Sequence, residues 1–271
     1  MTLIAIVATM RRLTAAALAL FLAAAVLPGS AGAQSVDDII AKKKLQVGVL
    51  VDFPPFGLTN AENKPDGYDI DVAKLLAKYL GVELEIVPVT GPNRIPFLLT
   101  NKVDVLVASF GITPERARQV QFSIPYASFD IMLLAPKASK IEKPADIKGI
   151  KVGVARASTQ DTALSAIAPQ GSQIMRFDDD ATTVQALLSG QIDAIGVATV
   201  IAKQIQEMKP DAQYEPKIIL RRQPNGIAMR RNQADLLQWV NTFVYFIKNN
   251  GELDAIHQKW LGQPLPQLPV F

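Results

Sequence analysis

This chain of 271 residues predicts an α/β fold of two lobes, each a mostly parallel sheet flanked by helices. Three observations carry that prediction. Apolar stretches alternate between strand-type and helix-type spacing, and strand–helix–strand–helix order implies parallel strands with helices on both faces. A pattern occurs twice, as Leu98-Leu99-Thr100-Asn101-Lys102-Val103-Asp104-Val105-Leu106 and as Leu187-Leu188-Ser189-Gly190-Gln191-Ile192-Asp193-Ala194-Ile195. Each copy is a helix end, a polar turn and a strand opened by an aspartate, as two lobes of similar construction would produce. The length suits two modest lobes.

Residues 1–33 stand apart from this fold. Arg11 and Arg12 precede an apolar run from Leu13 to Val26, then Pro28 and the small-residue ending Ala31-Gly32-Ala33. That is the layout of a secretory signal peptide cut before Gln34. The run is shorter than the about 20 apolar residues that span a bilayer. A second apolar patch, Leu3 to Ala8, lies upstream of the basic pair and points to Met10 as the initiator. Loss of the signal removes two arginines and no acid, leaving 26 of the 28 basic residues against 25 acidic ones. The formal charge of +3 is therefore largely a property of the leader, and neither nucleic acid nor a membrane surface is an expected partner. The chain has no cysteine. Disulfides, thiolate catalysis and a lipid-modified N-terminal cysteine are excluded, and the expected location is the periplasm.

Leu45 to Leu50 reads as the first strand. It runs into Asp52-Phe53-Pro54-Pro55-Phe56-Gly57, where prolines stop the strand and hold two aromatics on a stiff loop. Asp66-Gly67 makes a turn. Asp69 is expected to cap a helix whose apolar face is Ile70, Ala73, Leu76, Ala77 and Leu80, with Gly81 as its C-terminal cap. Val82, Leu84 and Ile86 alternate with Glu83 and Glu85 as a strand. Arg94 to Asn101 is a short helix, and Val103 to Ala108 a buried strand. The second lobe opens at Lys151-Val152-Gly153-Val154-Ala155. Helices follow near Thr159–Ala168 and Ala181–Ser189, then a strand from Asp193 to Val197. After Ile218-Ile219-Leu220 the chain turns at Pro224-Asn225-Gly226 into Ile227-Ala228-Met229. Two helices close it, about Ala234–Lys248 and Glu252–Leu261. In the first of them Leu237, Val240, Val244 and Ile247 form a core face that Trp239, Phe243 and Phe246 widen. Gln263 to Phe271 is a proline-rich strap or loose end.

The stretch Ser109-Phe110-Gly111-Ile112-Thr113-Pro114-Glu115-Arg116 organises the whole. A strand feeds directly into a helix start, with Thr113 as cap and Pro114 at the first position. Arg116 is a cation in the first turn, which opposes the helix dipole by roughly 0.3–1 kcal/mol. An anion between its guanidinium and the amides at Gly111 and Thr113 would reverse that cost. A solvated arginine paired with Glu115 is the other reading.

These segments resemble the periplasmic solute-binding proteins of polar amino-acid ABC transporters (family 3). The resemblance rests on Asp52-Phe53-Pro54-Pro55-Phe56, Gly67-Tyr68-Asp69-Ile70-Asp71-Val72-Ala73, Ile112-Thr113-Pro114-Glu115-Arg116-Ala117, Phe122-Ser123-Ile124-Pro125-Tyr126, Val152-Gly153-Val154-Ala155 and Trp260-Leu261-Gly262, in that order. It implies a type II periplasmic-binding-protein fold, with ligand between two α/β lobes joined by hinge crossings at Phe129–Pro136 and about Ile218–Gln223. Lobe 1 would take in residues 34–129 and 226–262, and lobe 2 residues 130–225, leaving 263–271 as a tail. Closure would be a hinge motion, at the carboxyl ends of the strands.

By the same resemblance Arg116 clamps a ligand carboxylate, with Ser109 and the Gly111 amide beside it. Ser158, Thr159 and Gln160 would grip that carboxylate from a helix N-terminus. Phe53 matches an aromatic platform under the ligand, or is plain core. The position of the family's aspartate for the ligand ammonium is Ala198, which cannot accept a charged hydrogen bond. Either Asp52 or Asp178 takes over, Asp52 being preferred for its place beside Phe53, or the ligand lacks an α-ammonium. Arg94 matches an arginine that reaches a second carboxylate in relatives binding acidic amino acids, or is a solvated rim residue. The implied function is a monomeric, non-catalytic receptor without cofactor or metal. It would deliver a small carboxylate, most readily a polar and possibly acidic amino acid, to an inner-membrane ABC permease. The competing reading is a periplasmic enzyme on the same scaffold, such as a cyclohexadienyl dehydratase. His257, the only histidine, is expected on the surface of the last helix.

Overall fold

The computed structural model describes residues 35–269. The signal-peptide and initiator expectations, and the last two residues of the tail, lie outside that range. Ser35 opens the first helix, α1 (Val36–Lys42), through a reciprocal cap with Asp38. Strand β1 (Lys44–Leu50) leads to a small antiparallel sheet of β2 (Asp52–Phe53), β3 (Gly57–Thr59) and β4 (Pro65–Asp66). Helix α2 (Tyr68–Leu80) starts on Gly67 and stops on the left-handed Gly81. Then come β5 (Glu83–Val89), α3 (Arg94–Leu99), β6 (Val105–Leu106), the short α4 (Pro114–Ala117) and β7 (Val120–Phe122).

The long strand β8 (Ala127–Pro136) is followed by β9 (Lys151–Ala155), α5 (Thr159–Ile167), β10 (Gln173–Phe177), α6 (Asp180–Leu188), β11 (Ala194–Ala198) and α7 (Thr199–Met208). A second long strand, β12 (Tyr214–Asn225), then runs back into β13 (Ala228–Arg230), α8 (Ala234–Asn249) and α9 (Glu252–Leu261).

Two five-stranded sheets result, ordered β5-β1-β6-β13-β7 and β10-β9-β11-β8-β12. Each has a parallel trio, β5-β1-β6 in one and β10-β9-β11 in the other. The remaining pairings are antiparallel, because β13 and β8 enter from the opposite end. Strands β8 and β12 pair from Ala127 opposite Asn225 to Pro136 opposite Tyr214, an antiparallel ribbon on which the second sheet is built. The two copies of the sequence repeat occupy equivalent places. Asp104 and Asp193 each accept an amide from a neighbouring parallel strand, Gln46 in one sheet and Lys151 in the other.

Several expectations are corrected. Asp69 does not cap α2; it lies in the first turn and is fully buried, while Gly67 occupies the cap position with φ 134°. An aspartate just before an apolar face signals a cap, and here both cap and helix start lie two residues earlier than that signal places them. The strand expected over Val103–Ala108 is only two residues long, since an apolar run reports burial rather than pairing. Arg116 sits in a four-residue helix that is as much last turn as first, so the dipole argument for it lapses. Phe243 is buried in the core, but Phe246 on the same helix is half exposed. His257 is not a surface residue: it is 3% exposed, its Nδ1 is 2.7 Å from the Gln263 carbonyl, and Tyr68 meets it edge-on. The proline-rich tail explains this, because it runs back over α9 as a strap, with Leu268 buried and the Leu265 amide donating to Asp254.

Candidate functional site

The carboxyl ends of β1, β5, β6, β9 and β10 meet at one cleft, lined among others by Leu50, Gly91, Ser109, Ala155 and Asp178. The loop after β6 supplies Ser109 and Phe110. Ser109 has φ 46°, a left-handed conformation uncommon without glycine, and it is held there from behind. Its hydroxyl donates to the buried Asp69 at 2.8 Å, and its amide donates to the Tyr126 hydroxyl at 3.2 Å. Tyr126 in turn donates to the other Asp69 oxygen at 2.7 Å. Burial pushes the Asp69 carboxyl up to about 7, against these hydrogen bonds that favour its charged form.

Arg116 lines the cleft two turns of chain later. One Nη donates to the Gly111 carbonyl at 2.8 Å, the other to the Ala157 carbonyl at 3.0 Å. Its guanidinium lies 4.3 Å from the centre of the Phe110 ring, and the Arg94 guanidinium lies 4.7 Å from the same ring. Desolvation, then the neighbouring Arg94 and Arg221 charges, lower the Arg116 pKa well below its ordinary value. Two cations on one ring form a field that an anion would relieve. Across the cleft, Ser158 caps α5 by accepting the Asp161 amide. Thr159 and Gln160 form the buried first turn, so the amides of a helix N-terminus face the arginine.

A second part of the cleft lining is acidic. Asp52 at the end of the β1 arm and Asp179 and Asp180 at the start of α6 line it together with Arg94. Asp179 caps α6 through the Thr182 amide, and Asp180 accepts from the Gln160 side chain at 3.0 Å. Burial and the Asp52 charge push the Asp180 carboxyl up to about 7, with Arg94 pulling the other way. Burial, then Asp179, also raises Asp52. One Asp52 oxygen is buried without a hydrogen-bond partner among the described residues.

Of the residues singled out from sequence, Asp52, Phe53, Arg94, Ser109, Arg116, Ser158, Thr159 and Gln160 all line this cleft. Phe53 lines the cleft and also belongs to the core: it is 3% exposed and its ring packs 5.7 Å from that of Phe129. Arg94 is no solvated rim residue, being 5% exposed with donations to the Gly91 and Ala108 carbonyls. Gly111 does not line the cleft. It pairs with Asn225 and contributes its carbonyl to Arg116. Ala198 is buried at the end of β11, also outside the cleft lining. Asp178 reaches the rim, largely exposed and 3.7 Å from Arg156. Sequence reasoning missed Asp179, Asp180, Phe110 and Gln223. The run Asp178-Asp179-Asp180 before an apolar helix was the available signal for the first two. Gln223, on a strand with no motif of its own, offered none.

The chain matches the family model of bacterial extracellular solute-binding proteins, family 3, over residues 45–263. It belongs to that family. This solute-binding protein is 32% identical over 220 residues to the L-cystine-binding protein TcyJ of Escherichia coli (strain K12), covering 80% of this chain and 82% of that protein. Its fold superposes with a TM-score of 0.79 on the solute receptor for L-cysteine of Neisseria gonorrhoeae, at 30% identity over 84% of this chain and 94% of the other. It also superposes on the ancestral amino acid-binding protein AncCDT-1, a precursor of cyclohexadienyl dehydratase, with a TM-score of 0.75 and 33% identity, covering 83% and 98% of the two chains. The type II periplasmic-binding fold and the role of solute-binding component of an ABC transporter follow from this membership.

Proposed function

We propose that this solute-binding protein captures an amino acid by its zwitterion and, as a periplasmic monomer freed of its leader, presents it to an inner-membrane ABC permease. The observation that carries the reading is the opposed charge of the cleft. Arg116 and the α5 N-terminus give the lining a cationic part, and Asp52, Asp179 and Asp180 an acidic part, the two meeting where Gln160 donates to Asp180. A carboxylate at the first and an ammonium at the second satisfy both, and the ammonium takes the buried Asp52 oxygen that otherwise lacks a partner. Asp52 and Asp180 thus replace the acid missing at Ala198. Asp180, Asp52 and Asp69 all favour the charged form of Arg94, which speaks against a dianionic ligand at that guanidinium. The enzyme reading keeps one supporting observation, an acid in the cleft held near 7, which suits a proton donor.

The test is a thermal-shift panel of L-cystine, L-cysteine, L-glutamine and L-arginine on protein refolded free of carried ligand. A binder at a hundredfold excess over Kd stabilises by about 2.7 kcal/mol. Arg116→Ala is expected to abolish the shift, because removing one partner of a buried charge pair costs about 2–5 kcal/mol of binding. A flat panel, or an Arg116→Ala protein that binds as the parent does, overturns the proposal. Prephenate and arogenate incubated with the protein, read by absorbance of aromatic product, decide the enzyme reading.

A further inference from the structure

Gln223 stands at the end of β12, in the ribbon that joins the two sheets, and is 3% exposed. A glutamine amide has two N–H donors and one acceptor oxygen. Here all are committed, and in three directions. One Nε2 hydrogen reaches the Ser109 carbonyl at 3.3 Å, in the loop after β6. The other reaches the Asn225 side-chain oxygen at 2.7 Å, on its own strand. The oxygen accepts from the Thr159 hydroxyl, in the first turn of α5. The amide is also caged. A methyl group at Gly111 would stand 2.6 Å from the Gln223 Cδ, so the Gly111 backbone forms the wall against which the side chain is set.

The Ser109 it touches is the left-handed residue held by Asp69 and Tyr126, and the Thr159 it touches belongs to the turn that faces Arg116. One side chain therefore links the anion-binding turn of one sheet to the anion-binding loop of the other. Because β12 and α5 both belong to the second sheet, any rotation that withdraws that sheet from the first must break the Ser109 bond, and the Thr159 hydroxyl, bonded to the same amide, holds Gln223 aimed at it. The Arg116–Ala157 contact is the neighbouring cross-cleft bond and would break with it.

We propose that Gln223 is the positioning residue that latches the closed cleft, and so sets how long a bound amino acid stays. This rests on the amino-acid reading of the cleft, but the latch itself does not require the amino acid to be known. The experiment has two arms on the full mature chain. In the first, hydrogen exchange is followed without ligand in Gln223→Met, Thr159→Val, their double variant and the conservative Thr159→Ser. Each single variant is expected to speed exchange over residues 156–167 about tenfold, the double no further, and Thr159→Ser to behave as the parent. Effects that multiply in the double variant, or that stay confined to residues 216–229, overturn the latch. Should Gln223→Met not fold, the contrast between Thr159→Val and Thr159→Ser decides the same point. In the second arm, dissociation is timed for whichever of L-cystine, L-cysteine, L-glutamine and L-arginine raises the melting temperature most. Gln223→Met is expected to quicken release about tenfold with the on-rate within twofold, and to add nothing in the Thr159→Val background. Unchanged release overturns the latch. If none of the four amino acids binds the parent, the amino-acid reading fails, while the exchange arm still judges the latch.

Discussion

Arg116 and Asp180 line one cleft, and each is held in an unfavourable electrostatic state by its surroundings. Arg116 is desolvated beside other cations, and Asp180 is desolvated beside Asp52. A zwitterion would relieve both, and the acid reports on it. An ammonium beside Asp180 favours its charged form, so the carboxyl that holds a proton near pH 7 must release it on binding. Affinity should therefore rise as pH goes from 5 to 8 and level off above. Calorimetry in buffers of different ionisation heat should show proton release below about pH 7. Asp180→Asn should bind more weakly and lose both signatures; a wild-type affinity flat across that range would sink the assignment. The charged lining of the cleft was half legible in the sequence. Arg116 and Ser158-Thr159-Gln160 lie in local motifs, whereas the partnership of Asp52 with Asp180 exists only because two distant segments meet.

Elements are where local chemistry was most readable. Thr113 and Ser158 cap their helices, and Gly81 ends α2, because capping is decided within four residues. The start of α2 shows the limit of that logic. Gly67 has φ 134°, and a methyl group there would lie 2.4 Å from the Phe56 carbonyl oxygen. The glycine is thus required by a contact with the β2–β3 loop, which frees Asp69 for the buried network behind Ser109. Gly67→Ala should cost at least about 2 kcal/mol, from strained backbone and the clash together. Urea unfolding measures it, and a cost under half of that would refute the account. His257 was misread for a similar reason. Its burial depends on the tail folding back, which no helix-face pattern encodes.

At the scale of the whole molecule, two buried acids with raised pKa values govern stability against pH. Asp69 and Asp180 both titrate at about 7 when folded, against about 3.9 in an unfolded chain. The folded state then holds more protons between roughly pH 4 and 7, so the slope of unfolding free energy with pH is negative there. Ligand-free protein should lose stability steadily from pH 5 to pH 7 and no further above. Urea midpoints across that range test it, and a flat or rising trend would contradict the burial of these groups as charged acids. The order β5-β1-β6-β13-β7 has a separate consequence for how the chain matures. Strand β13 separates β6 from β7, yet it comes after the entire second sheet. The second sheet is contiguous and can assemble as soon as residue 225 is available. The first keeps a gap in its middle until the last fifty or so residues arrive. A polypeptide delivered N-terminus first would finish the later-made sheet before the one it began with, and a chain stopped at residue 225 would be left with β6 and β7 unzipped.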